Sequence, residues 1–122
     1  MASELVFDSK TEERIEREVI ADAHNEYERA IKWISYLEHQ LTFPFEAQCL
    51  YEMSSSPLKE SVIVSVIGLN TKLSVEEMFV TVNWQDKTYD VPLSQLEGID
   101  ADNKTLQGIT DWHYWVSCGY SF

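Results

Sequence analysis

Four glycines, three prolines, two cysteines and nine basic residues are all that this 122-residue chain holds of those types. Each scarcity closes off a class of protein. Gly68, Gly98, Gly108 and Gly119 stand far apart, so no glycine-rich loop can wrap backbone N–H groups around a phosphate. Cys49 and Cys118 have no close cysteine or histidine partners. That excludes a disulfide framework and the paired ligand spacing of a zinc site, and the expectation is a cytoplasmic chain with reduced thiols. Nine basic residues against twenty-one acidic ones leave a net charge of −12. Recognition of nucleic acid needs clustered cations to neutralise phosphates, so nucleic acid is not an expected partner. No apolar run approaches the roughly 20 residues of a membrane span, and Leu5-Val6-Phe7 is too short for a signal segment. Chemistry is scarce as well. His24, His39 and His113 stand in no catalytic pattern and no serine sits in a nucleophile elbow, so we expect no enzyme.

What the chain has in quantity is core-forming and acidic material. Hydrophobic residues make up 44% of it and aromatics 12%, enough for one domain over residues 1–122. Ser9-Lys10-Thr11-Glu12 fits a capping box, with Ser9 accepting from the backbone and Glu12 reaching back. From there to Leu41 no proline or glycine interrupts, and Ile15, Val19, Ala23, Tyr27, Ala30, Ile31, Ile34, Leu37 and Leu41 recur at helical spacing. This predicts one long helix over 9–41. Such a helix would run about 45 Å and overhang a compact domain, which suggests a homodimer through its free end. Glu18, Asp22 and Glu26 form an acidic row on its far face, partly offset by Arg14, Arg17, Arg29 and Lys32.

Beyond the helix the period changes from three-four to two. Phe45, Ala47, Cys49 and Tyr51 alternate with mostly polar neighbours, and Val62, Val64 and Val66 with Ser61, Ile63 and Ser65. Met78, Val80, Val82 and Trp84 form a third run, and Tyr89, Val91 and Leu93 a fourth. Successive strand side chains point to opposite faces, so each run offers one face to a shared core. Asp86-Lys87 is short enough for a hairpin, and Val91 to Glu97 reads as a strand running into one 3₁₀ turn before a last short strand at Gly98-Ile99. The expectation is an α+β fold, a five-stranded SH3-like β-barrel over 43–99 flanked by the long N-terminal helix and a C-terminal helix over 100–118. In that last helix Leu106, Ile109, Trp112, His113 and Val116 repeat at helical spacing and Gly119 supplies the stop.

Acidic loops suit calcium, which takes six to eight oxygen ligands. Asp100-x-Asp102 copies the start of an EF-hand loop, but Lys104, Thr105 and Asp111 then depart from it. Helix N-capping explains the same aspartates. The distributed pattern says more. Glu13-Arg14-Ile15-Glu16, Glu28-Arg29-Ala30 leading to Trp33, Tyr36-Leu37-Glu38, Phe43-Pro44-Phe45, Ser56-Pro57-Leu58-Lys59, Glu77-Met78-Phe79-Val80, Val91–Leu96 and Asp111-Trp112-His113-Tyr114-Trp115 follow one another along nearly the whole chain. Together they resemble the small acidic calcium-binding protein family first described in cyanobacteria, the CcbP type. The resemblance implies a non-EF-hand protein that binds Ca²⁺ through acidic surface and loop oxygens. It also expects an acid where His39 follows Glu38. The Asp100–Asn103 turn and the Glu76-Glu77 loop match the acidic pattern.

We therefore place a metal site at Asp100, Asp102 and Asn103, with Glu38 as a long-range partner, in a calcium buffer or sensor. Two other classes stay open. The first is an SH3-like module that binds a basic or proline-rich peptide through exposed aromatics; the second is a structural homo-oligomer without specific calcium binding.

Overall fold

A computed structural model describes residues 9–54, 56–71 and 77–117. The stop at Gly119, Cys118 and Glu76 lie outside the described residues. Three helices and five strands follow in the order α1 (Ser9–Glu18), α2 (Glu26–Gln40), β1 (Phe45–Cys49), β2 (Ile63–Leu69), β3 (Phe79–Trp84), β4 (Lys87–Pro92), a 3₁₀ turn (Leu93–Gln95), β5 (Leu96–Asp100) and α3 (Asn103–Ser117).

The long helix is two helices, which corrects the single span expected over 9–41. The backbone breaks between Glu18 and Glu26, Asp22 turns to φ 64°, and of the expected apolar stripe Tyr27 and Ile31 are exposed while Ile15, Val19, Ala30 and Leu37 are buried. The cause is a second capping arrangement. Asn25 Oδ1 accepts from the Glu28 N–H at 2.8 Å, and the Glu28 carboxylate accepts from the His24 N–H at 2.7 Å. These bonds satisfy N–H groups that a helix start leaves without partners, so a new helix can begin where the periodicity alone shows no interruption. With no 45 Å rod, the overhanging end that suggested a homodimer is gone.

All five strands are antiparallel, in the order β4-β3-β2-β1-β5. The inward sets come from the expected alternation, Phe45, Ala47 and Cys49; Val64 and Val66; Val80 and Val82; Val91, whereas Tyr51 lies beyond the end of β1 and is exposed. The expected closed barrel is not found. β4 and β5 are the two edges of an open sheet, joined by the 3₁₀ turn without a ladder between them. Irregularities at Val66/Gly68 and Glu46/Ala47 interrupt the register, and bulges of this kind bend a sheet and raise its twist without closing it. The β3–β4 hairpin turns at Gln85 and Asp86, one residue earlier than expected, both at positive φ (53° and 65°). Positive φ at both central residues matches the right-handed twist of the flanking strands.

The helices cover one face of the sheet. Trp33, Ala30 and Leu37 of α2 meet Ile109, Trp112 and Trp115 of α3 in the core. Trp33 takes Trp112 edge-on at a centroid distance of 5.1 Å and Tyr36 at 5.8 Å. Gly108 makes the α2–α3 approach possible, because a Cβ there would lie 2.9 Å from Gln40 Cβ. A glycine within a helix costs roughly 1 kcal/mol against alanine, and here it allows close packing. α1 joins the core through Ile15 and meets α3 through a half-buried ion pair. Arg14 Nη1 donates to Asp111 Oδ2 at 3.1 Å, Nη2 donates to Oδ1, the Tyr36 hydroxyl donates to Oδ2 and Gln107 Nε2 donates to Oδ1 at 2.9 Å. Asp111 is 1% exposed, so this full set of donors is what permits its burial.

Candidate functional site

Asp102 stands just before α3 and begins it. Its Oδ1 accepts from the Thr105 N–H at 2.8 Å and its carbonyl from the Leu106 N–H at 3.0 Å. The N–H donated by Thr105 holds the Asp102 carboxyl below its usual range. Asn103 opens the helix and is exposed. Asp100 is the last residue of β5, so the EF-hand likeness ends there: a strand, not a helix, enters the turn.

Asp100 has a neighbour that sequence reasoning did not select. Glu46 of β1 is its direct cross-strand partner. The pair sits at the irregularity between Glu46 and Ala47, where Ile99 is the extra residue on β5. On the other side of β1, Glu46 faces Ser65, Ser65 faces Asn83, and Asn83 faces Thr88. A row of oxygen-bearing side chains thus crosses the sheet on the face turned from the helices. Glu46, Ser65 and Asp100 line a shallow depression of about 230 Å³. The sequence signal was the polar, even-numbered phase of β1. That phase marks Glu46 as outward-facing but does not say what stands beside it.

Glu38 is exposed on α2. The carbonyls expected to favour a cation near it are partly occupied: Leu37 O accepts from the Leu41 N–H, and Gln40 O accepts from Thr105 Oγ1. Among the described residues no group of three or more His, Cys, Asp or Glu could hold a metal ion, so neither Glu38 nor Glu46 joins Asp100 and Asp102 in such a group. Glu77 is half-buried, its carboxyl pushed up by burial, and it accepts from the Met78 N–H at 3.2 Å. Asp111, weighed from the sequence as the end of an EF-hand loop, is committed to Arg14. Cys49 is a core side chain, as its strand phase indicated, and burial pushes its thiol up.

The donor set at the β1–β5 edge fits calcium in kind. It offers two carboxylates and a hydroxyl, all hard oxygens, without sulfur or imidazole. It fits only in part in number, since two carboxylates and a serine leave several positions for water or backbone carbonyls. The fold and charge define a class: a small acidic α+β protein with an open, five-stranded antiparallel sheet. Residues 13–116 match the CcbP family model, described as calcium binding, and the chain belongs to that family. Among solved structures it is similar to the crystal structure of Anabaena CcbP, with 37% identity, TM-score 0.84 and full coverage of both chains. It is also similar to a calcium-binding protein in its calcium-binding form, with 36% identity, TM-score 0.81 and full coverage of both chains. No curated protein matches it significantly. The family is one of calcium-binding proteins rather than of enzymes.

Proposed function

We propose that the chain is a non-EF-hand calcium-binding protein that acts as a buffer, with its ion at the β1–β5 edge. The observation that carries the placement is the direct pairing of Glu46 with Asp100. Two like charges held opposite each other on adjacent strands are destabilising, and a dication between them converts that repulsion into attraction. Asp102 and Asn103 follow Asp100 in the chain, and the Asp102 carboxylate, already bonded by Thr105 and Thr42, adds negative charge beside this corner. Glu38 contributes to the field that draws cations rather than to ligation. Buffering suits this place because the row lies outside the aromatic core, so filling it requires no repacking around Trp33.

A calorimetric titration with Ca²⁺ over a Mg²⁺ background tests the function. Saturable binding that prefers Ca²⁺ is expected. The Asp100→Asn, Asp102→Asn double variant keeps side-chain size and capping ability while removing charge, and should bind more weakly. An unchanged titration in that variant removes the ion from this corner.

A second reading concerns partners. Tyr27 and Ile31, one turn apart on α2, are 56% and 49% exposed; a homodimer across this pair replaces the one expected from a long helix, and sedimentation of the purified chain checks it. We further propose that residues 9–117 form one domain, since one core takes side chains from every helix and strand. The low cysteine content supports a cytoplasmic location.

A further inference from the structure

We propose that the groove along α3 receives a short segment of another protein that carries both apolar and basic side chains. This goes beyond calcium binding and does not depend on it. Two adjoining clefts, of about 360 and 220 Å³, share Leu50 and His113 as walls and so form one trough. Leu106, Ile109, Thr110, His113, Val116 and Ser117 supply its α3 side. These positions recur three or four residues apart, on one face of the helix, and extend about 16 Å at 1.5 Å per residue. That length accommodates about five residues of extended chain. The facing wall is edge strand β5 with Leu50, and Tyr51 stands at one end, 46% exposed.

The charge in the trough defines the occupant. Glu97 is exposed and is the one carboxylate among the lining residues, and it makes no ion pair among the described residues. His113 Nε2 is 2.7 Å from Leu96 O, and burial lowers the pKa of the ring. An uncharged imidazole leaves Glu97 without a cationic neighbour in the groove. An apolar floor with a single rim carboxylate, on a chain of net charge −12, is complementary to a lysine or arginine flanked by leucine-like residues. A second copy of this chain, with nine basic residues against twenty-one acidic ones, is poor in the cations that Glu97 calls for.

The test uses a fluorescein-labelled ten-residue peptide of alternating leucine and lysine, titrated into the full chain in EDTA. A second peptide has serine in place of leucine. Saturable binding of the first and a loss of about tenfold with the second are expected. Thr110→Trp fills the trough from an exposed position and should cost about tenfold, and Glu97→Gln several-fold. Glu13→Gln removes the same charge from α1 and should change nothing. Amide shifts on binding should centre on Leu50, Gly98, Ile109 and Thr110. Equal binding of the serine peptide, equal loss with Glu13→Gln, or shifts spread over the acidic helix faces would each overturn the proposal in favour of bulk charge attraction. Dimerisation of the chain alone that Thr110→Trp abolishes would give the groove to a second copy instead.

Discussion

Asp100→Asn should raise stability without calcium and lower it with calcium. Asp100 and Glu46 are cross-strand partners on an exposed face. Unit charges about 5 Å apart in water repel by roughly 0.8 kcal/mol, and physiological salt screens about half of that. Neutralising one carboxylate therefore returns about 0.4 kcal/mol, a rise of roughly 1–2 °C in Tm for a chain of this size. With Ca²⁺ at a hundred times its dissociation constant, the parent gains about 2.7 kcal/mol, or roughly 8–13 °C. The variant has one carboxylate fewer to bind the ion and forfeits much of this gain, so the order of the two melting curves reverses. The assay is thermal unfolding followed by near-ultraviolet circular dichroism, in EDTA and then in CaCl₂, with MgCl₂ at matched ionic strength as control. Glu46→Gln should behave alike, and the double variant should show no further reversal, because the two act on one ion. A variant that is destabilised equally in EDTA and CaCl₂ would refute the pairing. Equal gains from Ca²⁺ and Mg²⁺ in the parent would leave only diffuse screening.

Arg14→Met keeps the aliphatic stem but leaves the buried Asp111 carboxylate, among the described residues, with the Tyr36 and Gln107 donors alone. Arg14 is itself 27% exposed, so the expected loss is at the low end for a broken buried pair, about 2–3 kcal/mol, measurable by urea unfolding. The same network pushes the Tyr36 hydroxyl up to about 12, burial first and the Asp111 carboxylate second. A raised pKa contributes stability that is present below about pH 10 and lost as pH rises from there toward the folded-state value; Tyr36→Phe should remove this alkaline dependence. Gly108→Ala should destabilise despite the better helix former, by roughly 1–2 kcal/mol, because the new methyl meets Gln40 Cβ rather than a mobile side-chain tip. His113 is held below its ordinary pKa by burial. The unfolded chain therefore takes up the proton first, and stability falls as pH drops through about 6.5 until the folded-state pKa is reached. His113→Gln should flatten that part of the pH–stability curve.

The sequence by itself determined the strands and the acidic character. A half-buried strand has one face toward the core, so Phe45-Ala47-Cys49 and Val80-Val82 carry their orientation in a local two-residue period that needs no partner to be seen. The 3₁₀ turn before β5 was legible in the same way, although the strand begins at Leu96 rather than Gly98. The recurring segments from Glu13 to Trp115 were enough to indicate the calcium-binding family. Tertiary structure decided whatever depends on which residues meet. Helical periodicity continues through Ala23 and Tyr27 whether or not the backbone does, so the break became visible only with Asn25 and Glu28 in their capping geometry. Alternation says that a strand pairs, not with what or whether the last strand returns to the fourth, and so the sheet read as a closed barrel proved open. For the same reason Asp100 could be chosen from its turn while Glu46 could not. Their proximity is set by ladder register between strands far apart in the chain, and register depends on every cross-strand contact at once.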